Sequence, residues 1–253
     1  MNRIDLFRQH LKEKRAVKVI AGIDNFDIEN VKKVAAAATQ AGASAIDISA
    51  SEEVFEIARQ LSDLPLFVSS IFPEELAQAV KMGADAIELG NFDALYKKGV
   101  RMGADEVLEL ARKTMSLINK SETFFCVTVP GHISVAEQIN LARKLEELGV
   151  DLIQTEGSAI ANVQSEGARG LMETAQVSIA NTIEIARNVD IPVMTASGIT
   201  STTAAFAFAA GASAIGVGSC INKLDSSLAM MAVTRSLVEI AGKTKQKSEM
   251  VLA

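Results

Sequence analysis

The chain has 253 residues, 49% of them hydrophobic and 22% charged, enough apolar material for a large core and a length that suits one α/β barrel or two small domains. Lys and Arg number 25 against 31 Asp and Glu, a formal net charge of -6, which works against non-specific attraction to nucleic acid or to an anionic membrane surface. Cys126 and Cys220 are the only cysteines; they form no Cys-x-x-Cys, support neither a disulfide framework nor a zinc site, and fit a reducing cytoplasm.

The opening "MNRIDLFRQHLKEKR" lacks the apolar core of a signal peptide and predicts a short amphipathic helix in which His10 is structural. "AVKVIAG" from Ala16 is the first strand candidate. An internal echo then sets the frame: "AGASAIDIS" at Ala41, "MGADAIELG" at Met82, "LGVDLIQTEG" at Leu148 and "AGASAIGVGS" at Ala210. Each places a Gly at the end of a helical pattern, where a left-handed residue closes a helix, and then enters a short apolar run. "DLPLFVSS" at Asp63, "FFCVTVP" at Phe124 and "DIPVMTAS" at Asp190 complete eight strand candidates. Helices are expected over about 27–41, 51–61, 73–82, 104–119, 134–148, 173–188, 200–210 and 227–241. Eight alternating units with strands apolar on both faces predict a single domain over 1–253, a parallel (β/α)8 TIM barrel with a short N-terminal helix. A doubly wound open sheet is the alternative, although no G-x-G-x-x-G follows the first strand.

Aligning the even strands on their Ala-Ile or Leu-Ile pair puts Asp47, Glu88, Gln154 and Gly216 at equivalent positions, one inward-facing layer of the barrel. Ser49, Gly90, Glu156 and Gly218 follow one step nearer the mouth, while Ile46, Ile48, Ile87 and Leu89 face the helices. Lys18 is the odd-strand side chain expected to meet the acids, with Ser69 and Thr128 nearer the mouth. A buried Lys beside Asp and Glu is tolerated only when paired. Lys18 with Asp47 or Glu88 is thus either a catalytic acid/base cluster or a structural ion-pair layer. His132, in "VPGHIS" just past the fifth strand, is a further acid/base candidate. Cys126 and Cys220 read as core. Nothing in the spacing of Asp47, Glu88 and Glu156 signals a metal site.

No Asp, Glu, Lys or Arg occurs between Asp190 and Lys223. In this register that run holds strands 7 and 8 and their loops, where barrels of this kind bind phosphate with backbone N-H groups. "ASGITS" and "GVGS" supply Ser197, Gly198, Gly218 and Ser219 for such a cradle, and the lack of acids suits a dianion that a carboxylate would repel. Close packing of small residues is the structural alternative. Two loops are longer than a connection needs. Residues 157–170 could form a lid carrying Arg169 towards an anionic substrate; the loop from Asn91 offers Tyr96, Lys97, Lys98 and Arg101.

"ELGNFDALY", "CVTVPGHI", "DLIQTEG", "IPVMTASGI" and "AIGVGSCINKL", taken in order from about Lys18 to Leu224, resemble the hypothetical chloroplast reading frame twenty-three family of cyanobacteria and plastids. The resemblance implies a phosphate-binding TIM barrel, and a plastid stroma for a plastid-bearing source; it transfers no reaction. The expected function is binding of a phosphorylated small molecule with lyase/aldolase or isomerase/epimerase chemistry by proton transfer. Lys18, Asp47, Glu88 and His132 would be catalytic, and Ser69, Asn91, Thr128, Gln154, Glu156 and Arg169 would contact substrate. Two alternatives stand beside it: a metabolite-sensing or scaffold barrel without turnover, and an oxidoreductase holding flavin mononucleotide (FMN) in the same cradle. No nucleic acid or membrane partner is expected, and self-association into a homo-oligomer is left open.

Overall fold

The computed structural model describes residues 2–96 and 98–251, the side chains of 244–251 excepted. Eight parallel strands close into a barrel in sequence order: β1 (Ala16–Ile20), β2 (Ala45–Ser49), β3 (Leu66–Ser70), β4 (Ala86–Leu89), β5 (Phe124–Val129), β6 (Leu152–Thr155), β7 (Val193–Thr195) and β8 (Ala214–Val217). The seam pairs Lys18 with Gly216. The helices are α1 (Arg3–Lys12), α2 (Ile28–Ala41), α3 (Glu52–Leu61), α4 (Pro73–Met82), α5 (Asp93–Tyr96), α6 (Ala104–Leu117), α7 (Val135–Leu148), α8 (Gly167–Ala186), α9 (Ala204–Ala209), α10 (Ser219–Asn222) and α11 (Ser227–Val251). The TIM barrel expected from the alternation is therefore observed, and the open sheet is not.

The four glycines of the repeat sit at φ 74, 93, 88 and 104, where a side chain would be strained, so each helix stops and the chain turns into the next strand. Ile46, Ile48, Ile87 and Leu89 are buried in the layer between strands and helices. The inward face is different. Its lower part, made of Ala16, Ala45, Phe67, Ala86, Phe124, Leu152, Met194 and Ala214, forms a separate apolar cluster with Ile4, Phe7 and Leu11 of α1. Phe7 meets Phe67 and Phe124 edge-on with ring centroids 5.0 and 5.9 Å apart, so α1 plugs the bottom of the barrel. His10 is structural as expected, its Nδ1 2.8 Å from Ser44 Oγ.

Two helix starts differ from expectation by several residues, and two short helices were not expected. Helix α8 starts at Gly167 instead of about 173 because the Glu173 carboxylate accepts from the N-H groups of Gln164 and Ser165 (2.7 and 2.9 Å), fastening the preceding chain to the helix. Helix α9 starts only at Ala204, since Thr200 N-H donates to Thr203 Oγ1 (2.9 Å) in a turn of its own. The short helices α5 and α10 carry too few residues for a periodic signal.

Candidate functional site

Lys18, Asp47 and Glu88 do meet inside the barrel. All three are fully buried; Lys18 Nζ donates to Asp47 Oδ2 (2.9 Å) and also to Glu88. Burial alone would lower the pKa of the Lys18 ammonium, but Asp47 and Glu88 outweigh it and hold that pKa above its ordinary value. Burial, with Glu88 adding to it, pushes the Asp47 carboxyl up to about 6 even though Lys18 pulls the other way. One ammonium does not fully serve two carboxylates.

The next side chains towards the mouth cover this cluster. Ser69 Oγ donates to Asp47 (2.7 Å), and Asn91 Nδ2 donates to Ser69 (3.1 Å). Gln154 Nε2 donates to Glu88 Oε1 (2.6 Å), Asn91 Oδ1 (3.0 Å) and Thr128 Oγ1 (3.0 Å). Gly90 is needed for this closure, because a Cβ there would lie 2.1 Å from Thr128 Oγ1. Above Asn91 and Gln154 opens a cavity of about 500 Å³, lined by the ends of β1, β6, β7 and β8 and by the loop after β4. Among the fourteen residues expected at the site, Asn91, Gln154, Glu156, Ser197, Gly198, Gly218 and Ser219 line it. Lys18, Asp47, Glu88, Ser69 and Thr128 lie beneath its floor, where a direct catalytic or substrate contact is not available to them.

Two expected residues are elsewhere. Arg169 is exposed and pairs with Glu173 at 3.3 Å, because the early start of α8 places it in the first helical turn, away from the mouth. His132 stands behind the cavity wall with its Nδ1 2.8 Å from Tyr96 Oη. Its pKa is lowered by burial and by Arg101. Lys97, one of the cations expected above β4, lies outside the described residues.

The loops after β7 and β8 both face the cavity. Ser197 and Gly198 take left-handed conformations, φ 70 and 80, and Ser178 Oγ holds the Ser197 carbonyl at 2.8 Å. Across the mouth, Asn222 Nδ2 donates to the carbonyls of Ile20 (3.1 Å) and Ala21 (2.9 Å), and Asn30 Nδ2 donates to the Asn222 carbonyl (2.9 Å). This ties the β8 loop to the end of β1. The N-H groups of Gly198, Gly218 and Ser219 have no protein acceptor among the described residues. Lys223, which sequence reasoning missed although it follows "GVGSCIN", lines the same cavity.

The expectation of an acid-free cradle is corrected by the fold. Asp93, from α5, reaches the β6 and β7 loops: Ser197 Oγ donates to its Oδ2, as do Gly157 N, Ser158 Oγ and Ala159 N at 3.3 Å each. The Ser197 hydroxyl is thus spent on Asp93, whereas the Gly198, Gly218 and Ser219 amides have no acceptor among the described residues. No local signal marked Asp93, since it acts on residues 64 to 104 positions away.

Asp24 and Asp27 also line the cavity, and Glu156 is the most buried acid at the mouth. It is 2% exposed and accepts from Tyr96 Oη, Asp93 N (3.0 Å) and Gly131 N (3.4 Å). Burial, reinforced by the neighbouring Asp93 charge, pushes its carboxyl up to about 8. A carboxyl that titrates near neutrality can both give and take a proton. Burial and Glu156 push the Tyr96 phenol up as well. Cys126 is fully buried as expected, its thiol raised by burial and by Glu88. Among the described residues no group of three His, Cys, Asp or Glu side chains is placed to hold a metal ion, and no helix is long and apolar enough to cross a membrane.

Similarities to known proteins agree with this architecture. The fold matches 3-hexulose-6-phosphate synthase from Salmonella typhimurium with a TM-score of 0.65 and 12% identity over 90% of this chain and 99% of that one. It also matches (S)-3-O-geranylgeranylglyceryl phosphate synthase from Thermoplasma acidophilum, solved with its substrate sn-glycerol-1-phosphate, with a TM-score of 0.59 and 15% identity over 94% and 98%. In sequence, the uncharacterized protein ycf23 of Cyanophora paradoxa is 42% identical over 231 residues, 91% of this chain and 93% of that protein. The family described as "Protein of unknown function (DUF561)" matches residues 1–247, and with the ycf23 likeness expected from its motifs also present, the chain belongs to that family.

Proposed function

We propose that the protein is an enzyme that holds the phosphate of a small phosphorylated metabolite at the β7 and β8 loops and moves a proton on its carbon chain, chemistry of the lyase/aldolase or isomerase/epimerase kind. The observation that carries this reading is the set of unengaged N-H groups of Gly198, Gly218 and Ser219 around one cavity, with Lys223 on its wall. Backbone amides without a protein acceptor at the edge of a cavity favour an anion, and the strand 7 and 8 loops are where phosphate is commonly held in this fold. Anchoring one end of a substrate positions the other for reaction. Glu156 is the group in the cavity suited to exchange the proton, and at neutral pH its protonated form adds no charge beside a dianion. Lys18, Asp47 and Glu88 are positioning residues: they fix Gln154 through Glu88, and Gln154 forms part of the floor.

The test is ligand-induced stabilisation of the full chain by inorganic phosphate and by phosphate monoesters, against sulfate and chloride at equal ionic strength. Gly218→Val is the matched variant, because its Cβ would clear the nearest protein atom by 3.6 Å and the side chain would grow into the rim. Phosphate should raise the melting temperature of the wild-type protein and leave the variant unmoved. No phosphate-specific rise in the wild type would remove the reading. Mass spectrometry of the same incubations separates turnover from ligand sensing. An absorbance spectrum after mixing with FMN tests the flavin alternative.

A further inference from the structure

The floor of the cavity holds a buried acceptor that nothing in the protein satisfies. Gln154 is 1% exposed, and its Nε2 is committed to Glu88 Oε1, Asn91 Oδ1 and Thr128 Oγ1. That fixes the amide orientation, since rotating it by half a turn would set its oxygen against the oxygens of Glu88 and Asn91. The amide oxygen, Oε1, is left without a partner, which is costly for a buried carbonyl.

Its surroundings define what could approach it. A Cβ placed on Gly216 would stand 3.2 Å from Gln154 Oε1, 3.1 Å from Ile20 Cδ1 and 2.9 Å from Ala196 Cβ. Gln154, Ile20 and Ala196 all line the cavity. These distances are too tight for a side chain, so glycine at 216 keeps Oε1 uncapped, and the cavity-lining atoms beside this one neutral acceptor are the methyls of Ile20 and Ala196. An ammonium would lose its water there for one uncharged partner, whereas a hydroxyl on a carbon chain matches both the acceptor and the methyls. Gly216 lies two residues before Gly218, about 7 Å along the strand, room for a short carbon chain between Gln154 Oε1 and the amide rim.

We infer that the ligand is a phosphate monoester of a short polyol or hydroxyketone, with a hydroxyl two or three carbons from the phosphate donating to Gln154 Oε1. This rests on the phosphate reading above and names the substrate class for that site. Gln154 then sets specificity by acting on the end of the ligand remote from the phosphate.

Isothermal titration of the full chain with racemic glycerol 3-phosphate, n-propyl phosphate and inorganic phosphate tests it. Glycerol phosphate should bind at least about tenfold more tightly than propyl phosphate, because the deoxy ligand leaves Oε1 unpaired. In Gly216→Ala, whose methyl would crowd Oε1 from 3.2 Å, that preference should disappear while inorganic phosphate still binds. Gln154→Met, which removes the acceptor, is the second variant should the first fail to fold. Equal affinity for glycerol and propyl phosphate in the wild type would overturn this inference and leave the phosphate site standing. A preference that survives in either folded variant would overturn the assignment to Gln154. Absence of binding by all three compounds would overturn the phosphate reading and this inference with it.

Discussion

Replacing Glu156 by Gln separates its charge from its shape. The folded protein holds this carboxyl at about 8, against an ordinary value of 4.5, and the gap corresponds at about 1.4 kcal/mol per pH unit to about 5 kcal/mol. Below pH 4.5 the acid is protonated in both folded and unfolded chains, so no penalty exists. As pH rises from there, the unfolded chain ionises while the folded one keeps its proton, and stability falls until pH passes about 8. Above that the penalty is constant. A glutamine, neutral throughout, has no such slope. Urea denaturation of wild type and Glu156→Gln at pH 4, 6, 8 and 9 should give a stability difference that shifts by about 5 kcal/mol in favour of the variant across the range. The difference is the useful quantity, since every other titrating group is common to both proteins. Parallel profiles, agreeing within about 1 kcal/mol, would show that Glu156 ionises normally and refute its role as the proton-exchanging group.

Two further outcomes test the layers beneath the site. Lys18→Met leaves Asp47 and Glu88 buried without their cation and should cost about 3–5 kcal/mol in urea denaturation; Asp47→Asn and Glu88→Gln added to it should recover most of that loss. The Lys18→Met protein should still respond to phosphate, since Lys18 lies below the cavity floor. Phe7→Ala opens the aromatic plug and should cost about 3–5 kcal/mol, a fall in melting temperature of about 10 °C for a chain of this size, read by circular dichroism.

The architecture was legible because strand register was written locally. The repeated Ala-Ile and Leu-Ile pairs fix which residues face inward, so the sequence alone sets Asp47, Glu88, Gln154 and Gly216 in one layer, and Lys18 pairs with Gly216 across the seam. Register gives a side chain's direction without giving the height at which the interior ends. Asn91 and Gln154 reach over the Lys18 cluster and set the floor above it, which no spacing could show. Asp93 was missed for a related reason: its partners come from the loops after β6 and β7, and the neutral run around Ser197 concealed that an acid would be delivered from beyond β4. Arg169 was misplaced because the contact between Glu173 and the Gln164–Ser165 backbone lengthened a helix backwards. A capping interaction made from inside the helix carries no start signal of the usual kind.

The Asn222 side chain joins residues about 200 positions apart, donating to the carbonyls of Ile20 and Ala21. The geometry of the Gly218 rim is therefore set by chain from both ends of the barrel, and it exists only once the last strand has docked beside the first. If the proposed rim binds an anion, that affinity would report completed ring assembly: an intermediate holding seven strands, however well packed, would present half of the proposed rim with nothing to align it.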